Sequence, residues 1–107
     1  MSSIALNTIP DQEIFPGFIA KVIHTPSQNL TLVYVRVQAG TLLPEHAHPQ
    51  EQVTNVLSGQ LEITIAGETQ ILEPGKIGTI APNAVHHAKA LTDCYILDVF
   101  HPMRSYT

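Results

Sequence analysis

The 107-residue sequence predicts an all-β fold, a sandwich or a closed barrel, and three observations carry that prediction. Eight prolines and six glycines are spread along the whole length. Between them lie short runs rich in Val, Ile, Leu and Thr that alternate with period two, as half-buried strands do. No run of a dozen residues escapes a Pro, a Gly or a β-branched cluster, so a long amphipathic helix has nowhere to form. Short strands in one small domain bury their apolar faces only by closing on themselves or stacking in two layers.

Residues 1–10 lack this pattern and are expected to form an N-terminal arm on a single domain spanning 1–107. A weak strand over Gln12 to Phe15 precedes a clearer one over Gly17 to Ile23. Strands then follow at Leu30 to Gln38, Gln52 to Leu57, Leu61 to Ile65, Thr69 to Leu72, Ile77 to Ala81, Val85 to Ala90 and Cys94 to Phe100. Ser58-Gly59, Ala66-Gly67 and Glu73-Pro74-Gly75-Lys76 supply the turns between them. In the last strand Cys94, Ile96, Asp98 and Phe100 face one way and Tyr95, Leu97 and Val99 the other, so both faces are largely apolar. A small barrel covers only its inner face, and a second copy in a symmetric homodimer is expected to cover the outer one.

Composition excludes several functions. The net charge is −4, and the five basic residues Lys21, Arg36, Lys76, Lys89 and Arg104 are scattered, which leaves no stripe for a nucleic acid backbone. No run of about 18 apolar residues and no basic-then-apolar leader occurs, so no membrane partner and a cytoplasmic location are expected. The lone Cys94 cannot form an internal disulfide and reads as a small buried hydrophobe.

Six histidines are many for this length, and four fall in two clusters, His46-Ala47-His48 and His86-His87. On an extended chain His46 and His48 share a face, so both can reach one ion, and Gln52 keeps that facing if the chain stays extended. A third imidazole from the segment around His86 would close the site. His87, one step along, points to the outer face. His24 and His101 fit no pattern. Spacing admits one divalent ion beside the ordinary reading of surface or hydrogen-bonded core histidines, and neutral nitrogen and oxygen ligands suit Ni, Zn, Fe, Mn or Co alike.

The glycines around these histidines carry a resemblance. Gly40 to Gly59 reads G-x5-H-x-H-x3-Q-x6-G, which resembles the first motif of the cupin superfamily with Gln52 in place of the usual Glu. After 15 residues, Gly75, Ala81, Asn83, His86 and Ala90 are similar to the second motif, G-x5-P-x-G-x2-H-x3-N. Ala81 stands at its Pro, Asn83 at its Gly and Ala90 at its final Asn. Asn is the non-Gly residue best suited to positive φ. The resemblance implies a cupin jelly-roll β-barrel.

A closer resemblance rests on His46-x-His48-Pro49-x-Glu51-Gln52-Val53-Thr54 and on the ending Ala90-Leu91-Thr92-Asp93-Cys94-x-x-Leu97-Asp98-Val99-Phe100. These runs resemble the small cupins of the KdgF type, which linearise unsaturated uronates in pectin and alginate breakdown. Gln50 replaces a His common there, and Asn55 a frequent aromatic. That resemblance implies metal ligands at His46, His48, Gln52 and His86, with Asp98, Phe100 and Arg104 completing a pocket for a small sugar acid. The residues alone agree at Asp98, since a carboxylate within an apolar strand needs a partner or a task. By itself Arg104 reads as a frayed terminus. Two other expectations stand beside ring opening: a non-enzymatic cupin binding a small acid or sugar, and an iron-dependent dioxygenase.

Overall fold

Among the described residues, 3–106, of the computed structural model, the regular elements are ten strands, all paired antiparallel, and one short 3-10 turn at Leu6–Thr8. The strands are β1 (Gln12–Phe15), β2 (Phe18–His24), β3 (Thr31–Val37), β4 (Leu42–His46), β5 (Glu51–Ser58), β6 (Leu61–Ile65), β7 (Glu68–Leu72), β8 (Ile77–Ile80), β9 (His86–Ala90) and β10 (Cys94–His101). They form a six-stranded sheet, β1-β2-β3-β10-β5-β8, facing a four-stranded sheet, β4-β9-β6-β7. From β3 onward the chain crosses between the sheets at almost every connection, and this winding makes the jelly-roll barrel. Of the expected N-terminal arm, Met1 and Ser2 lie outside the described residues. Farther along the arm, the Lys21 ammonium donates to the carbonyl of Ile9 at 2.6 Å.

Nine of the ten strands stand where alternation put them. The exception is β4, where Pro44 and the nearby Gly40 break the period-two signal, so sequence reasoning passed over it.

The interior has two halves, and the alternation of each strand writes them. Inward-facing residues run Val37, Val35, Val33, Thr31 in β3, then Val56, Thr54, Gln52 in β5, and Ala90, Ala88, His86 in β9. Along β10 they run Cys94, Ile96, Asp98, Phe100. Cross-strand register brings like to like: Ile96 faces Val35 and Val56, Asp98 faces Val33 and Thr54, and Phe100 faces Thr31 and Gln52. One end of the barrel is therefore aliphatic, with Val33, Val35, Val56, Ile80 and Ile96 all buried. Each such side chain contributes roughly 1.5–3 kcal/mol by leaving water. That driving force lets the other end hold buried polar groups: Thr31, His48, Gln52, Thr54 and His86.

Candidate metal centre

The chain does not stay extended from His46 to Gln52, the condition on which a shared facing of Gln52 rested. Strand β4 ends at His46, residues 47–50 leave the sheet, and β5 begins at Glu51 on the opposite side of the barrel. His46 and His86 are register partners in the small sheet, His48 sits in the crossover, and Gln52 opens the large sheet. The four residues still converge, His48 being carried between the two sheets by the crossover. Ring centroids of His46 and His86 are 4.1 Å apart and those of His48 and His86 5.1 Å. One nitrogen from each of the three rings falls within 4.8 Å of the others, close enough to hold one ion. His87 faces outward and is exposed, as expected from its neighbour on β9.

Backbone carbonyls set the state of all three rings. Nδ1 of His46 lies 2.9 Å from the oxygen of Pro44, that of His48 3.0 Å from Gln50, and that of His86 2.9 Å from Ala84. A carbonyl oxygen can only accept, so each Nδ1 carries a proton, which leaves Nε2 as the ring nitrogen available to a cation. Such outer bonds to carbonyls accompany metal-bound imidazoles. Burial, more than the neighbouring cations, keeps two of these rings neutral: it lowers the His48 pKa and brings His86 down to about 4.

Two observations test whether these residues fit a cation. His86 Nε2 is buried with no hydrogen-bond partner, an acceptor aimed at nothing. His48 Nε2 and Gln52 Oε1 lie 2.9 Å apart, and with the His48 proton on Nδ1 both are lone pairs. That contact is repulsive until a cation takes both. The donor set fits a divalent ion.

Beside the histidines lies a pocket of about 290 Å³ lined by His46, Gln52, Asp98, Phe100, Arg104 and Tyr106, with Ile14, Phe15, Leu43, Pro44 and Glu45 at its wall. Burial pushes the Asp98 carboxyl up to about 6, against the opposing pull of its Thr54 hydrogen bond, of Gln52 and of Arg104. The Arg104 guanidinium is held between two rings, 5.0 Å from the centre of Phe100 and 4.9 Å from that of Tyr106. Its segment does not fray: Arg104 N–H donates to Thr31 Oγ1 at 3.0 Å, and Gln50 Nε2 donates to the Met103 carbonyl at 3.2 Å. Every expected site residue, His46, His48, Gln52, His86, Asp98, Phe100 and Arg104, thus lies at one end of the barrel. A larger, more open hollow of about 750 Å³ around Arg36, Asp93 and Tyr95 has no histidine.

Sequence reasoning missed Thr54 and Tyr106. Thr54 shares the inward face of β5 with Gln52, so alternation could have found it. Tyr106 lies beyond the last strand, where no periodicity speaks.

Residues 33–100 match the cupin domain family, and the match spans more than half the chain. The chain belongs to the cupin family. This cupin is 32% identical over 98 residues to the pectin degradation protein KdgF of Dickeya dadantii (strain 3937), covering 90% of this chain and 88% of that one. It is similar to the structure of KdgF from a Halomonas species, at a TM-score of 0.87 and 30% identity, with 98% of this chain and 96% of that one covered. An RmlC-like cupin from Shewanella frigidimarina shares the fold, at a TM-score of 0.85 and 23% identity over 92% of this chain and 88% of that one. One departure from the cupin motif, and one glycine that keeps to it, find physical reasons here. Asn83, at a motif glycine, adopts φ 64°. Gly59 sits at φ 91°, and a side chain there would collide with the Asp93 carbonyl.

Proposed function

We propose that this cupin opens the ring of 4,5-unsaturated uronates, the sugar acids left by eliminative cleavage of pectin or alginate, to give linear keto acids. The observation that carries the reading is the meeting of a raised-pKa carboxyl, Asp98, with a ring-clamped guanidinium, Arg104, beside the three convergent histidines. Similarity to the two KdgF proteins supports it. A pocket of about 290 Å³ suits one sugar ring better than a chain of them.

In this reading Arg104 pairs with the sugar carboxylate through its two parallel N–H groups, and Phe100 and Tyr106 keep that fork in plane. Asp98, ionised above about pH 6, takes the proton of the anomeric hydroxyl. The C1–O5 bond breaks as the C1 carbonyl forms, and the electron pair is left as an enolate on O5, C5 and C4. Returning the proton to C4 completes a C5 ketone and leaves Asp98 ionised again. A divalent ion held by His46, His48, Gln52 and His86 would supply Lewis acidity toward the sugar oxygens. Gln52, an amide where the motif usually has a carboxylate, leaves that ion's charge less neutralised. Ni, Zn, Fe, Mn and Co all suit the donor set. A cytoplasmic setting belongs to the same reading, as does a homodimer in which a second copy covers the outer face of the large sheet.

The test is loss of the ultraviolet absorbance of an unsaturated monouronate on adding the protein, with Asp98→Ala as comparison. The parent is expected to bleach it and the variant to fall far behind. Binding without turnover by both would favour a sugar-acid binding module instead.

A further inference from the structure

We propose that Thr54 is a positioning residue that fixes two groups of the site at once: the Gln52 amide, with its oxygen toward the histidines, and the Asp98 carboxylate. The first part rests on the metal half of the reading above and the second on its ring-opening half.

Hydrogen-bond direction fixes both groups. Thr54 lies directly across from Asp98 in the β5–β10 register and two residues along the same inward face from Gln52. Its hydroxyl is 2.7 Å from Asp98 Oδ1, and it is itself buried. A carboxylate can only accept, so the single Thr54 proton goes to Asp98. What remains on Thr54 Oγ1 is a lone pair, and it accepts from Gln52 Nε2 at 2.9 Å. A primary amide has one donor end and one acceptor end, told apart only by their partners. With the donor end engaged by Thr54, the oxygen must face His48 Nε2, at 2.9 Å.

Turned the other way, the amide would set its oxygen against the Thr54 lone pair and offer the histidines an NH₂ that has no lone pair for a cation. Thr54 therefore converts the charge of Asp98 into the orientation of a ligand. A glutamate at position 52 would have no wrong end. The demand on Thr54 follows from the Gln that distinguishes this chain from the usual motif.

The experiment measures metal affinity of metal-free protein by competition between Zn²⁺ or Ni²⁺ and a chromophoric chelator, which needs no substrate. Thr54→Val, similar in shape and without the hydroxyl, is expected to weaken binding by about 10–100-fold, as loss of an outer-shell partner does. Thr54→Ser keeps the hydroxyl and should bind as the parent does. In a Gln52→Glu background the Val substitution should lose its effect. On an unsaturated uronate, Thr54→Val should lower kcat more than it raises KM, because Asp98 is left without its orienting donor.

Parent-like affinity in Thr54→Val, equal losses in the Gln and Glu backgrounds, or a Ser variant as weak as the Val variant would each overturn the proposal. If the Val variant does not fold, Thr54→Ala takes its place as the variant without the hydroxyl, with Thr54→Ser as its control. A parent that takes up neither ion overturns it together with the metal reading. A chain that shows the affinity pattern but turns over no uronate refutes ring opening and leaves the orienting role standing.

Discussion

At the scale of single residues, Asp98 carries the sharpest expectations. Burial raises its pKa from the ordinary 3.8 to about 6, so between those values the folded chain holds a proton that the unfolded chain has released. Its favourable contribution to stability is thus complete below pH 3.8 and is lost as pH rises through about 6. Metal-free Asp98→Asn should be the more stable protein above pH 6, by up to ~3 kcal/mol, with the gap closing toward pH 4 in urea melts. His86, lowered to about 4, has the opposite sign, but it is present in both proteins and cancels in the comparison. In catalysis the order reverses: Asp98→Asn should lose about 10²–10⁴ in kcat, and the parent's fall in kcat/KM below about pH 6 should disappear. Arg104→Ala should instead raise KM, with Arg104→Lys recovering only part, since an ammonium lacks the planar fork. Asp98 was legible in the sequence because a carboxylate in an apolar strand is conspicuous. Arg104 was legible only through resemblance. What makes it a site residue is Thr31 gripping its backbone from 73 positions away and two rings gripping its side chain, and local sequence encodes neither.

At the scale of elements, strand alternation does most of the placing. His86 and His87 are neighbours in sequence and opposites in β9, one buried and one exposed. The pair His46→Ala with His48→Ala should abolish stoichiometric metal in elemental analysis, while His87→Ala should retain it. Retention by the double variant together with loss in the His87 variant would mean that the facing of β9 in solution is not the one described. Alternation failed at β4, and the failure has a cause: Pro44 removes an N–H, and the edge position of β4 in the small sheet tolerates that. The crossover at 47–50 was illegible for a different reason. Whether a chain continues straight or changes sheet depends on where the partner strands lie, so His48 reached the site by a route that spacing did not describe.

At the scale of the whole molecule, the barrel leaves an apolar surface uncovered. Leu32, Tyr34, Val53, Tyr95, Leu97 and Val99 lie on the outer face of the large sheet, each only half buried, with Leu57 and Ile77 beside them exposed. Register joins them into one band: Tyr34 pairs with Leu97, and Val99 with Leu32 and Val53. If a second copy covers this band, sedimentation should give a dimer, and a charge at its centre, Leu97→Glu, should yield monomers that keep their metal. The all-β class was readable from punctuation and alternation because a small barrel is made by short-range rules. The candidate site lies where four chain segments meet, and only the folded molecule brings them together. Ring opening by Asp98 and Arg104 at a metal-dependent site can be followed through the ultraviolet absorbance of an unsaturated monouronate. The reaction would be run with the parent protein, with the same protein stripped by chelator, and with the stripped protein given back a divalent ion. Bleaching is expected from the parent, with its loss on stripping and its return with the ion, and Asp98→Asn should stay about 10²–10⁴ slower than the ion-loaded parent. Absorbance unchanged by the ion-loaded parent, or bleached equally fast by Asp98→Asn, would contradict ring opening by these residues.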